Sequence, residues 1–244
     1  MGIVWVVGIG PGDGPGMTGH ASAALGAADV LCGYTKYIEL VSASYPDKDV
    51  IATGMTREVE RCRAALRAAE GGKNVAVVCS GDAGVYGMAG LVYELSGDFP
   101  SVTIEVVPGV SAAMAGAAVL GAPLMHDFAV VSLSDLLTPW PAIEKRLHAA
   151  AAAGFVLCLY NPASRKRHDY LAKACDIVME YRDVETVCGW VRNIGREGGE
   201  SAVLSLRKLR DWPADMFSTI FIGTETTRMI EGKMVTPRGY GGLQ

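Results

Sequence analysis

No two of the six cysteines stand in a C-x-x-C pair, and the four histidines (His20, His126, His148 and His168) show no metal-ligand spacing. The usual zinc and iron–sulfur signatures are therefore missing. Most of the cysteines fall inside apolar runs, so they are expected as small core residues in a reducing compartment. A basic field is also missing: the formal net charge is −4, which argues against a nucleic-acid partner. No stretch approaches the roughly 20 apolar residues of a membrane span. The first residues lack the basic n-region of a secretory signal, and their apolar run stops at Gly8. These absences lead to the expectation of a cytoplasmic protein with neither membrane nor nucleic acid as partner. An anionic small substrate stays compatible, because local clusters of charge count for more than the total.

What the sequence does have is alternation. Short β-branched runs at 4–7, 30–32, 75–79, 103–107, 128–132, 156–160, 186–191 and 218–222 read as strands. Ala-rich helical patterns lie between them at 18–27, 56–70, 86–95, 111–120, 142–153 and 170–182. Runs such as VAVVC and FVLCLY are apolar throughout, as expected of strands covered on both faces. The fold class is α/β. Beyond LMHDFAVVSLSDLLTPWP the connections lengthen, and Glu200–Leu206 follows NIGREGG as the second arm of a hairpin. This predicts a parallel-sheet domain over 1–122 and a mixed-sheet domain over 123–244, with a ligand cleft between them as the default site. The AAAAAG run is read as a helix end capped by Gly154.

Behind the first strand comes GIGPGDGPGMT. A dinucleotide loop needs G-x-G-x-x-G, but an aspartate, Asp13, holds the place of the third glycine. Pro11 has no N–H for a pyrophosphate, and Asp13 would repel one. The Gly-Lys-Ser/Thr ending of a triphosphate loop is also lacking. What is left is a tight turn at which backbone approaches a ligand, with an acidic rim suited to positive or neutral chemistry. Two further small-residue loops follow strands: SGDAGVYG at 80–87, bearing Asp82, and PGVSAAMAGA at 108–117, bearing Ser111. One such loop is weak evidence of a site, and three together form a pattern.

At this point the motifs match a family. GIGPGD, CSGDAGVYGMAGLVYE, VVPGVSAAMAGAAVLGAPL, LYNPASRKR and NIGREGGE, in this order along the whole chain, resemble the tetrapyrrole (precorrin) methylases. Within that family, SGDAGVYGMAGLVYE and YNPASRKR resemble the branch that methylates C17 in cobalamin biosynthesis. The resemblance implies two α/β domains, a homodimer, and S-adenosylmethionine folded into the cleft between the domains. Carried onto this chain, the cofactor contacts would be Pro11, Gly81, Asp82, Val85, Ser111 and Ala112, with Tyr160, Asn161, Asn193 and Ile194 from the second domain. The substrate would be precorrin-3B, methylated and ring-contracted to precorrin-4. Cobalt-factor III of the anaerobic route is the alternative, and the lack of an iron–sulfur extension leans towards the metal-free form.

Methyl transfer from a sulfonium to carbon needs no metal, and the catalyst's main task is alignment and exclusion of water. A tetrapyrrole with acetate and propionate arms calls for cations. Arg165 and Lys166 follow the YNPAS turn, and Arg192 and Arg196 flank NIG. Lys36 and the backbone of Gly12 complete the substrate candidates, with Arg238 a weaker one. Ring contraction would be helped by a base or acid. Asp13, Asp82, His126 and Glu225 are eligible by type, with Asp13 placed first because its loop faces the substrate side. A nicotinamide-dependent oxidoreductase is disfavoured by the missing glycine and the missing ribose carboxylate. A non-catalytic tetrapyrrole carrier would not need three cofactor loops.

Overall fold

The computed structural model describes residues 2–12, 14–164 and 167–240. The chain divides into two compact units, residues 1–112 and 113–244.

In the first unit β1 (Ile3–Gly8), β2 (Val30–Tyr34), β3 (Asp49–Thr53), β4 (Val75–Cys79) and β5 (Thr103–Val107) form a parallel sheet in the order β3-β2-β4-β1-β5. Successive side chains of a strand point to opposite faces, so an all-apolar strand feeds two cores. In β4, Val75, Val77 and Cys79 join Cys62, Ala65, Leu66 and Ala69 of α3 (Glu58–Glu70) and Val92 of α4 (Ala89–Leu95). Ala76 and Val78 join Ala21 and Leu25 of α1 (Gly19–Ala27) and Ile38 and Val41 of α2 (Thr35–Val41). The continuous run VAVVC is thereby explained. Each fully buried aliphatic side chain of this kind contributes about 1.5–3 kcal/mol of apolar transfer free energy.

In the second unit the order is β10-β9-β11-β8-β7, from β7 (Phe128–Ser132), β8 (Val156–Tyr160), β9 (Val187–Arg192), β10 (Glu200–Ser205) and β11 (Ser218–Ile222). β7 and β8 are parallel, while β11 runs antiparallel to both β8 and β9. β9 and β10 form the expected hairpin, with Glu200 opposite Arg192. One face carries α6 (Trp140–Ala152), α7 (Tyr170–Met179) and α8 (Leu206–Arg210). The other carries α5 (Ala112–Leu120), whose Ala113, Ala117 and Leu120 pack with Cys158, Val191 and Phe221. A Cβ at Gly116 would lie 2.9 Å from the Phe221 ring, so the small stripe of α5 is what admits the aromatic. By these contacts α5 shares a core with the second unit, and the sequence boundary at 122/123 falls just after it. A small sheet, β12-β13-β6, pairs β13 (Lys233–Val235) with β12 (Arg228–Ile230) and with β6 (Gly121–Ala122). Gly154 ends α6 region with φ +75°, as its capping role requires.

The strands β3, β6, β12 and β13 and the helices α2 and α8 lack a clear sequence signal. β3 is an edge strand that starts on Asp49 and exposes Val50 at 49%, so its apolar stretch shrinks to Val50-Ile51-Ala52. α2 spans only seven residues and follows β2 without a turn.

All six cysteines are buried free thiols, as the core reading expects. Burial pushes them up from the usual 9.0, Cys62 to about 11 and Cys32, Cys79 and Cys188 to about 12, and it raises Cys158 and Cys175 likewise. The folded chain therefore keeps protons that the unfolded chain releases above pH 9.0. Its stability should fall as pH rises from there towards about 12. Iodoacetamide at about pH 8 should leave the thiols of the folded chain unmodified and alkylate them in urea. Rapid labelling of the native chain, read by mass spectrometry, would contradict this account.

Candidate functional site

Three adjacent strands of the first unit, β4, β1 and β5, end at the same carboxyl edge, where α/β sheets bind ligands. Their loops interlock through backbone. Ile9 N donates to Cys79 O at 2.9 Å, Gly10 N donates to Gly81 O at 3.0 Å, and Gly81 N returns a bond to Gly10 O at 2.7 Å. The approach is so close that side chains are barred: a Cβ on Gly109 would lie 2.1 Å from Gly81 O, and one on Gly8 2.8 Å from Gly109 N. Gly10 and Gly81 also sit at φ +78° and +70°, which favours glycine on conformational grounds.

Asp82 closes this arrangement. Its Oδ1 accepts from Gly84 N at 2.8 Å and Val85 N at 3.0 Å, and its Oδ2 accepts from Gly109 N at 3.0 Å. The carboxylate thus ties the second loop to the third with charge-assisted bonds. Beyond it Val85 and Tyr86 are 39% and 59% exposed, and Tyr86 adopts φ +54°, uncommon for an aromatic residue. Ser111 is buried at the foot of the third loop, and Ala112 opens α5. Asp82 is the charged side chain described on these three loops. Gly12 is half-buried with φ +140°, and Pro11 beside it is half-buried too. Asp13 lies outside the described residues, as do Arg165 and Lys166.

In the second unit the carboxyl ends of β7, β8 and β9 share one edge with the start of β11, as the pairings Ser132↔Tyr160 and Ser218↔Arg192 show. Asn161 and Asn193, the residues just after β8 and β9, take the left-handed conformation at φ +53° and +51°. Asparagine is among the few non-glycine residues that enter it readily. Asn161 Nδ2 donates to Ser132 Oγ at 2.9 Å, and Asn193 N donates to Phe217 O at 3.2 Å. Tyr160 Oη accepts from Ala113 N at 2.7 Å and so takes up an amide of the first turn of α5. Ile194 packs on the same helix, its Cδ1 being 3.2 Å from where a Cβ on Gly116 would stand. The residues expected at the cofactor are thus together within each unit.

The expected cations divide. Arg192 Nε pairs with Asp215 at 2.8 Å, and Nη1 lies 3.9 Å from Glu200. The backbone N–H of Arg196 turns in to Asn193 O at 3.0 Å. Lys36 stands on α2, paired at 2.9 Å with Glu39 of the same helix. His126 and Glu225 are elsewhere, lining a polar hollow of about 660 Å³ with Thr224, Thr226 and Thr227. That hollow lies by the start of β9 and the end of β11, the opposite edge of the sheet from Asn161 and Asn193. Asp29 sits at the start of β2 and accepts from Asn74 N at 2.7 Å, so no ribose carboxylate stands at the end of that strand.

Sequence reasoning missed Asp135 and Arg167 as a pair. Arg167 Nε lies 3.6 Å from Asp135 Oδ1 and donates to Ser164 Oγ at 3.2 Å, and Tyr170 Oη donates to Asp135 Oδ2 at 2.7 Å. This joins the loop after β7 to the loop after β8. It also missed Arg61, a charge on the buried stripe of α3 formed with Cys62, Ala65, Leu66 and Ala69. An arginine in that stripe was the available signal.

An amide in place of the Asp82 carboxylate would present N–H to the N–H of Gly109 or of Gly84 and Val85. Asp82→Asn should therefore cost about 1–3 kcal/mol and speed hydrogen exchange at 84–85 and 109. Thermal melting and exchange mass spectrometry check this. Unchanged protection at those amides would mean the carboxylate does not hold the loops.

The model of the Tetrapyrrole (Corrin/Porphyrin) Methylases matches residues 4–210. A "Probable cobalt-factor III C(17)-methyltransferase" of Salmonella typhimurium is 50% identical over 236 residues, covering 96% of this chain and 98% of that protein. A "Precorrin-3B C(17)-methyltransferase" of Sinorhizobium sp is 37% identical over 250 residues, 99% of this chain and 98% of its own. The crystal structure of the methyltransferase CobJ superposes with a TM-score of 0.91 at 33% identity, covering 97% of this chain and 100% of that one. The fold is shared over nearly the whole of both chains. This chain belongs to the tetrapyrrole methylases.

Proposed function

We propose that the chain transfers a methyl group from S-adenosylmethionine to C17 of precorrin-3B, with contraction of the macrocycle, in the making of cobalamin. Cobalt-factor III, the cobalt-bearing tetrapyrrole of the anaerobic route, is the alternative substrate. The observation that carries the reading is the interlocked edge of β4, β1 and β5, found in a chain that resembles C17-methyltransferases over nearly its whole length.

The edge fits the cofactor in its chemistry. Its loops offer small residues and backbone groups, with Asp82 as the described charge, which suits a cationic sulfonium better than a phosphate. When bound, S-adenosylmethionine supplies an activated methyl group. In the first unit the proposed contacts are Pro11, Gly81, Asp82, Val85, Ser111 and Ala112. In the second they are Tyr160, Asn161, Asn193 and Ile194. What these residues contribute is orientation: loops locked by backbone bonds keep the acceptor carbon and methyl donor in line without reorganising during the step. Gly12, Lys36, Arg165, Lys166, Arg192 and Arg196 are the proposed contacts of the tetrapyrrole's carboxylate arms. Asp13 is the proposed base for ring contraction. Buried free thiols fit a reducing cytoplasm, and no helix among the described residues is long and apolar enough to cross a membrane. A homodimer belongs to the reading through the family resemblance.

Anaerobic incubation with methyl-labelled S-adenosylmethionine and each of the two tetrapyrroles, followed by mass spectrometry, should place label in a ring-contracted product. Label from precorrin-3B alone, or from the cobalt form alone, fixes which substrate is used. No label from either refutes the C17 reading. With the accepted substrate, Asp13→Asn should still methylate but contract at least about ten-fold more slowly. Contraction at the wild-type rate would remove Asp13 from that role.

A further inference from the structure

Arg61 is 3% exposed and lies beside the carboxyl edge of the first sheet. Its Nε donates to Thr53 Oγ1 at 2.8 Å, Nη2 to Gly54 O at 2.9 Å and, more distantly, Thr53 O at 3.5 Å, and Nη1 to Met88 Sδ at 3.4 Å. The guanidinium carbon lies 6.0 Å from the centre of the Tyr34 ring. Every one of these partners is neutral, and among the described residues no carboxylate stands within ion-pairing distance. The neighbouring thiols offer no charge either, since burial holds Cys32, Cys62 and Cys79 protonated.

A buried cation of this kind is costly: it has lost its hydration and gained no counter-ion. A neutral side chain could fill the space among Thr53, Met88 and Tyr34 without that penalty. The surroundings show where a compensating anion can come from. The backbone directly above the guanidinium is open, Gly54 being exposed and Met55 49% exposed. Thr56 follows at φ +64°, an unusual conformation for a β-branched residue. These residues extend the same carboxyl edge, because Thr53 pairs with Tyr34 at the ends of β3 and β2. Met88 closes the SGDAGVYG loop at the neighbouring strand β4.

We infer that Arg61 is a specificity determinant, a fixed positive charge beneath the Thr53–Thr56 backbone whose counter-ion is a carboxylate arm of the bound tetrapyrrole. The inference rests on the tetrapyrrole reading above and names an anchor for that substrate which the loop motifs do not contain. Arg61 acts through its field and through the backbone it holds, since its side chain is covered. A carboxylate lying over Gly54 is within the range at which one unit charge in a partly desolvated setting changes affinity about ten-fold.

The test uses uroporphyrin, a fluorescent polycarboxylate tetrapyrrole, as a binding probe for the full chain. Arg61→Met and Arg61→Gln remove the charge with different shapes, so one failure to fold does not silence the neutral arm. Arg61→Lys keeps the charge, and Arg67→Met removes a charge from the exposed far end of α3. The neutral variants should bind the porphyrin about ten-fold more weakly, while Arg61→Lys and Arg67→Met stay near wild type. With the tetrapyrrole that is methylated, KM for it should rise while kcat and KM for S-adenosylmethionine hold. Equal binding by the neutral variants, equal loss in Arg61→Lys, or no porphyrin binding by the wild type would each overturn the inference. Methyl transfer to neither tetrapyrrole would count against the proposed function instead, and the porphyrin affinities would still decide the place of Arg61.

Discussion

The functional edge of the first unit depends on one carboxylate. Asp82 accepts three backbone N–H bonds from two loops, and those loops reach their positions because Gly8 and Gly109 let main chain touch main chain and Gly81 takes a left-handed backbone. Remove the carboxylate and three amides lose a charged acceptor. Remove the glycines and the strands β4, β1 and β5 cannot end side by side with their loops bonded to each other. The glycine-rich signature is therefore a packing requirement first. Any ligand that uses this edge meets a surface already rigid before it arrives, which is the condition under which positioned groups are worth most.

The second unit reaches a similar result by different means. Its loops after β8 and β9 turn on asparagines in the left-handed region, and each asparagine is held by a neighbour on the same edge. An asparagine can adopt this backbone at modest strain and still offer an amide, which glycine cannot. At Asn161 the geometry and the side-chain donor thus come from a single residue, while Asn193 is held through its backbone N–H.

Much of this was legible in the sequence. VAVVC and FVLCLY announced strands buried on both faces, and their residues do divide between two cores. The hairpin of β9 and β10 and the carboxyl-edge loops were readable from glycine and polar punctuation. The weaker elements were not. β3 is an edge strand with only Val50-Ile51-Ala52 between two polar residues, and β13 is three residues long, paired with the equally short β12 and with β6, more than a hundred residues earlier in the chain. Asp82 was read as a cofactor contact, and the structure adds that its carboxylate grips the backbone of two loops. No local pattern distinguishes those roles, since both place an acid in a small-residue loop. Arg61 escaped because its meaning lies in what is not near it, and sequence spacing does not report the absence of a counter-ion.

The pairing of β6 with β13 has a consequence for how the chain is made. The first unit needs only residues 1–112, so its sheet can close while the rest is still being synthesised. The second unit joins Gly121 to Met234, so the strand that follows α5 must wait for more than a hundred further residues before its partner exists. Until then the apolar stripe of Ala113, Ala117 and Leu120 lacks the cover that Phe221 and Met234 later provide. The newborn chain therefore carries a finished half and an exposed helix until Phe221 and Met234 have been made, the interval in which such a surface is most open to misassociation or to a chaperone.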